Sequence, residues 1–225
     1  MSCRTVPYLR HRASLVGDGG GGSNPYYDAG ADFYYELSDA IDSNGGANLS
    51  NTNSVVFTGT GRYGNCATFD GTNYLWDNTS TIGPAWVAAG GLYTLEMHVR
   101  FPALNVDCGL FNFVSFRDCA FIRASGNIEM RRGDFNGSSG SYDTLSANFW
   151  SGKSINTWYK LTFQTGYISG GLGMRMYLDD VLLNSSDAVS RVSTVSTGFK
   201  MGTIDAGSFL MRGDIDEVKI ILGAP

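Results

Sequence analysis

The stretch Asp214-Ile-Asp-Glu-Val-Lys-Ile-Ile221 sets four ionisable side chains in a run that otherwise reads as a β-strand. Strand parity gives Asp216 the face of Val218 and Ile220, and Glu217 the face of Lys219. Glu217 and Lys219 are then expected in solvent, and Asp216 is expected to point inward. A buried carboxylate without partners costs several kcal/mol, so Asp216 needs backbone N–H donors or a metal ion. Calcium suits the second solution because it takes carboxylate, amide and carbonyl oxygens together. The turn Asp42-Ser-Asn-Gly-Gly46 carries such oxygens, and the first and last strands of a sandwich are often neighbours.

Other chemistries find less to build on. Gly59-Thr-Gly-Arg-Tyr-Gly64 matches a dinucleotide-binding loop, but the residues that follow, Asn65-Cys-Ala-Thr-Phe-Asp-Gly71, read as a strand and a turn. The pyrophosphate needs a helix N-terminus there. The two histidines are His11, in a basic N-terminal stretch, and His98, on the polar face of a strand, with no Glu-x-x-His or His-x-His spacing nearby. A zinc site or a catalytic triad is not expected, and Gly-x-Ser-x-Gly is absent. Arg-Gly-Asp occurs at 132–134 and 212–214, as such tripeptides do at the turns of a glycine-rich chain. Cys3, Cys66, Cys108 and Cys119 form no Cys-x-x-Cys pair; buried thiols are expected, with Cys108 and Cys119, which bracket a hairpin, the one pair able to bridge.

The elements that position these residues are strands. The 225 residues are 43% hydrophobic, 13% aromatic and 16% charged, which excludes disorder, coiled coil and collagen. Tyr93, Leu95, Met97, Val99 and Phe101 alternate with Thr94, Glu96, His98 and Arg100; Tyr159, Leu161 and Phe163 alternate with Lys160, Thr162 and Gln164; Met174, Met176 and Leu178 alternate with Arg175, Tyr177 and Asp179. Period two with one wet face predicts antiparallel, half-buried strands. Further strands are expected over 33–37, 55–58, 67–70, 110–116, 128–131, 142–149, 199–202 and 215–222, and no window of a dozen residues has helical spacing. About a dozen short strands joined by turns predict an all-β, two-sheet antiparallel sandwich.

In order along the chain, Tyr34-Tyr-Glu-Leu with Asp42-Ser-Asn-Gly, Gly64-Asn-Cys-Ala-Thr-Phe-Asp-Gly71, Tyr93-Thr-Leu-Glu-Met-His-Val, Thr157-Trp-Tyr-Lys-Leu-Thr-Phe, Met176-Tyr-Leu-Asp-Asp-Val and Gly213-Asp-Ile-Asp-Glu-Val-Lys-Ile resemble the laminin-G-like and concanavalin A-like lectin/glucanase jelly rolls. The resemblance covers residues 31–225, with Cys66 where that family more often has a small aliphatic residue. It implies two curved antiparallel sheets, sugar binding or adhesion, and a structural calcium ion carried over onto Asp42, Asn44 and Asp216. Retaining glucanases of that superfamily set two carboxyl groups ~5–5.5 Å apart from a Glu-x-Asp-x-x-Glu strand. No such strand is present: the Leu92–Phe101 stretch offers only Glu96, and Asp214 to Glu217 has the wrong spacing, so catalysis is not expected. Aromatics near loops or strand ends that could stack on a sugar are Tyr74, Trp76, Trp86, Tyr142 and Trp150, each also a candidate for core or rim packing.

Residues 1–30 are of another kind: a basic dozen, then a Gly17–Gly22 stretch without side chains for a core, read as an arm and a linker ahead of the domain at 31–225. The whole chain carries −5, which argues against a nucleic-acid partner, and no apolar run approaches the ~20 residues of a membrane span. The basic start lacks the apolar region of a signal peptide. The expected function is a non-catalytic structural or adhesion subunit at the surface of a larger assembly such as a virion or phage particle, with a lectin-like jelly roll that binds glycans. Arg4, Tyr8, Leu9, Arg10 and Arg12 of the arm would dock on another copy, as in a homo-oligomer, or on other assembly proteins. The alternatives are a free-standing extracellular carbohydrate-binding module and, third, a glycoside hydrolase.

Overall fold

Alternation of apolar and polar residues is realised as two stacked antiparallel sheets. The computed structural model describes residues 30–114, 117–133, 142–168, 171–189, 198–205 and 208–223; the arm residues Arg4, Tyr8, Leu9, Arg10 and Arg12 lie outside them. In chain order the strands are β1 (Phe33–Tyr35), β2 (Ser50–Thr52), β3 (Val56–Thr60), β4 (Asn65–Asp70), β5 (Tyr74–Trp76), β6 (Tyr93–Arg100), β7 (Cys108–Val114), β8 (Asp118–Ile122), β9 (Asn127–Gly133), β10 (Tyr142–Asn148), β11 (Trp158–Ile168), β12 (Gly171–Leu178), β13 (Val181–Ser186), β14 (Lys200–Met201) and β15 (Arg212–Leu222). One sheet has eight strands in the order β13-β12-β11-β6-β15-β4-β3, with β1 also on β15; the other has seven, β10-β9-β8-β7-β14-β5-β2.

The core lies between the sheets. Leu95, Met97 and Val99 of β6 and Leu161 and Phe163 of β11 meet Phe111 and Phe113 of β7 and Ile128 and Met130 of β9, all fully buried. Each such side chain contributes about 1.5–3 kcal/mol by leaving water. Aromatic edges lock the layers in register: Phe111 lies edge-on to Phe163 across the sandwich at 5.2 Å, and Phe113 touches Tyr93 at 5.0 Å. A pair of opposite charges enters this core. Arg132 points inward from β9, donates from Nη1 to Gly91 O at 2.7 Å, and has Asp118 as its opposing charge.

Two expectations change, the absence of a helix and the parity of β15, while the buried thiols are found as expected. A short helix, α1 (Ile82–Ala88), lies between β5 and β6 in the chain and buries Trp86 flat against Phe113 at 4.9 Å. Its seven residues are fewer than two turns, too short for a helical period to show. Cys66, Cys108 and Cys119 are free and buried, and the β7–β8 register pairs Cys108 with Ile122 and Cys119 with Asn112, so Cys108 and Cys119 are not opposite each other. The parity of β15 breaks at a bulge between Asp216 and Lys219, where Glu217 takes a positive φ of 51°. Ile215, Val218 and Ile220 still face the core, but Asp216, paired with His98, faces outward with Lys219.

Candidate functional site

The Asp42, Asn44 and Asp216 set is not a calcium cradle. Asp42 Oδ1 accepts the N–H groups of Tyr34 (2.9 Å) and Asn44 (3.0 Å), and Oδ2 those of Gly46 (2.6 Å) and Ala47 (3.0 Å). Four donor hydrogens therefore aim at this carboxylate from the directions a cation would need, and the residues present do not fit the ion. Asn44 gives its Nδ2 to Ala31 O at 2.8 Å. Asp216 takes the other solution open to it, accepting Arg62 N–H at 2.7 Å and Glu217 N–H at 3.0 Å. Among the described residues no group of three or more His, Cys, Asp or Glu side chains could hold a metal ion.

The five candidate aromatics are scattered. Trp86 and Trp150 are core residues, Trp150 edge-on to Phe101 at 5.1 Å with Nε1 donating to Arg123 O, so neither offers a ring face to a sugar. Tyr74 and Trp76 stand half-buried on β5, with Lys200 Nζ 5.9 Å from the Tyr74 ring. Tyr142 is exposed on β10, the opposite edge of that sheet, with the Arg131 guanidinium on its ring at 4.3 Å.

What the fold does bring together lies on the outer face of the eight-stranded sheet. β15 is paired on one side by β4 up to Ile215 and by β1 from Val218, and the bulge occupies the gap between them. The β3–β4 loop plugs that gap: Gly61 N–H bonds Gly64 O at 3.0 Å, and a Cβ on Gly61 would stand 2.6 Å from Asp216 Oδ2. Only glycine lets this backbone approach the carboxylate. Beside the plug opens a depression of about 450 Å³ lined by Tyr34, Arg62, Glu96, His98, Lys160, Asp179, Asp180, Glu217 and Lys219.

Charges alternate across it from strand to strand. Lys219 Nζ lies 2.9 Å from Glu96 Oε2, Lys160 Nζ lies 3.8 Å from Glu96 Oε1 and 2.7 Å from Asp180 Oδ1, and the Tyr34 hydroxyl donates to Glu217 Oε2. Glu96, Lys160 and Lys219 keep between a fifth and a quarter of their side-chain surface in water, so a ligand can reach them. Burial, reinforced by the Arg62 and Lys160 cations, pushes the His98 imidazole down to about 4, leaving it neutral at physiological pH. Burial pushes Asp216 up to about 7 against the bond from Arg62 N–H, with Glu217 adding repulsion. Trp158, under the Arg100 guanidinium at 4.6 Å, and Tyr177, paired with Thr162, are half-buried on the same outward face. Sequence reasoning placed Glu96, His98 and Lys160 on wet faces but did not assemble them; opposite charges on strands of matching period were the available signal.

The sequence matches no protein-family model and no curated protein. Solved structures share its fold. The chain is similar to Domain 4 of AbnA, a GH43 extracellular arabinanase from Geobacillus stearothermophilus, in complex with arabinotriose (16% identity, 86% of this chain and 93% of that one, TM-score 0.57). It is similar to the CBM40 of the Ruminococcus gnavus IT-sialidase bound to α2,3 sialyllactose (14%, 69% and 88%, TM-score 0.52). It is also similar to the binding domain of Botulinum neurotoxin serotype D (14%, 88% and 48%, TM-score 0.63), of which it spans about half the length. At these identities the likeness is one of fold: the chain is a two-sheet antiparallel β-sandwich of the kind found in carbohydrate-binding modules and toxin binding domains.

Proposed function

We propose that the chain is a non-catalytic glycan-binding module whose site is the depression on the eight-stranded sheet. The observation that carries the reading is the row Lys219, Glu96, Lys160 and Asp180, which alternates donor and acceptor across β15, β6 and β11 to the β12–β13 turn. Sugar hydroxyls are donor and acceptor at once, and an ammonium paired to one carboxylate oxygen still has protons to give. Trp158 and Tyr177 flank the row with apolar surface for the C–H faces of a sugar. The described neighbours, one in complex with arabinotriose and one bound to sialyllactose, agree with this use of the fold.

Binding without turnover follows from the carboxyl groups. Glu96 is held between two lysines, and Asp216, the carboxyl that burial raises to about 7, is fully buried behind the β3–β4 loop, out of reach of a glycosidic oxygen. The wider setting we attach to this reading, a subunit that presents the sandwich from a larger particle, rests on the basic arm in the sequence. A glycan microarray followed by calorimetry tests the site. Lys160→Ala should weaken binding of any hit by roughly 10–100-fold, the worth of a charge-assisted hydrogen bond, without moving the melt by more than a few degrees. Full binding by Lys160→Ala would place the site elsewhere.

A further inference from the structure

We infer that the sugar unit seated on this row is uncharged, and that the row itself turns acidic sugars away. The inference rests on the glycan-binding reading and adds the ligand class to it. Four carboxylates (Glu96, Asp179, Asp180, Glu217) line the depression against three cations (Arg62, Lys160, Lys219). None of those cations is free: Lys219 lies on Glu96, Lys160 on both Asp180 and Glu96, and Arg62 has interactions of its own. His98 adds no fourth cation, because burial beside Arg62 and Lys160 keeps its ring neutral.

A ligand carboxylate entering here must lie beside Glu96 and Glu217, or draw Arg62, Lys160 or Lys219 off the groups each already serves. Like charges ~6 Å apart at an effective dielectric constant of ~20 lower affinity by about a hundredfold, and salt reduces this to tens of fold in a half-open site. A hydroxyl meets no such conflict. It donates to a remaining lone pair of Glu96 or Asp180 and accepts from a remaining proton of Lys160 or Lys219, with every ion pair left in place.

The experiment uses the full chain and matched probes: neutral oligosaccharides, including arabinotriose and lactose, beside sialylated or uronic-acid forms of the same cores, at 20 and 150 mM salt. Neutral probes should bind with affinity insensitive to salt, and their acidic forms at least tenfold more weakly at low salt, the gap narrowing at high salt. The double variant Glu96→Gln, Asp180→Asn, checked for an intact melt, leaves three cations against two carboxylates and should lose most of the discrimination. Acidic forms that bind as well as their neutral cores, or a double variant that discriminates as before, overturn the inference alone. No binding by any probe, or binding indifferent to Lys160→Ala, overturns the underlying reading, and the inference with it.

Discussion

A buried carboxylate ringed by amide hydrogens needs no cation. Asp42 collects four N–H groups and thereby folds the turn after β1 onto that strand. Asp42→Ala leaves those donors without their acceptor and should cost about 3 kcal/mol, a fall in Tm of roughly 6–12 °C, whereas added calcium or a chelator should leave the melt where it is. A chelator-sensitive melt would restore the ion. Around the depression, two groups pull stability in opposite directions with pH. The folded state refuses a proton at His98 that the unfolded chain accepts, so stability falls as pH drops from 6.5 towards about 4. Asp216 releases its proton near 7 when folded and near 3.8 when unfolded, so its contribution falls as pH rises across that interval. Relative to wild type, His98→Gln should therefore gain Tm as pH drops from 6 to 4, and Asp216→Asn should gain it as pH rises from 4 to 7. Melts of the three proteins across pH 4–8 check the signs; parallel curves would refute both. Strand parity put Asp216 on the core face with Val218 and Ile220, whereas the bulge turns it outward and the β3–β4 loop buries it there. Its partners were not legible either, because backbone N–H groups carry no letter in a sequence.

At the scale of elements, β6, β11 and β12 were legible because apolar and polar residues alternate along each of them. β8 was not, since all five of its residues are buried. The reason lies outside the strand: the segment after β14 folds back over this sheet, packing Ile204 and Phe209 on Cys119 and Phe121. A strand covered on both faces loses its alternation. β2 and β5 escaped for a different reason, having only three residues each. The covering segment docks through Gly109, whose N–H bonds Phe209 O at 2.6 Å and whose Cβ, if present, would lie 2.2 Å from that oxygen. Gly109→Ala should thus push the cover off β7 at a cost of about 1–3 kcal/mol. Denaturant unfolding gives the loss, and faster hydrogen exchange confined to 202–211 would identify its source. An unchanged variant would mean that the cover is held by Ile204 and Phe209 alone.

For the whole molecule, the sandwich followed from period two and frequent turns, but the face that carries the site did not. Lys219, Glu96 and Lys160 meet only because β15, β6 and β11, far apart in sequence, are neighbours in one sheet, and the bulge at Glu217 decides which residues of β15 join them. The arm is the remaining large-scale feature, and its use can be argued from charge. Arg4, Arg10 and Arg12 give the first dozen residues +3, which leaves −8 on residues 13–225 out of the total of −5. Opposite charge favours docking of the arm on the acidic body of another copy or on another acidic assembly protein. Val6, Tyr8 and Leu9 add apolar anchors, and the Gly17–Gly22 stretch supplies reach. Ordering such a segment costs ~1–2 kcal/mol per residue, so it will be fixed only where it gains a substantial interface. Deleting residues 1–24 should therefore leave the melt and glycan binding of the sandwich unchanged while abolishing association, read as a drop in mass by light scattering or loss from the particle fraction. Association that survives the deletion would assign docking to the sandwich surface, and a full-length chain that is already monomeric and absent from any particle would refute docking by the arm altogether. A collapsed melt would show instead that the arm supplies part of the domain.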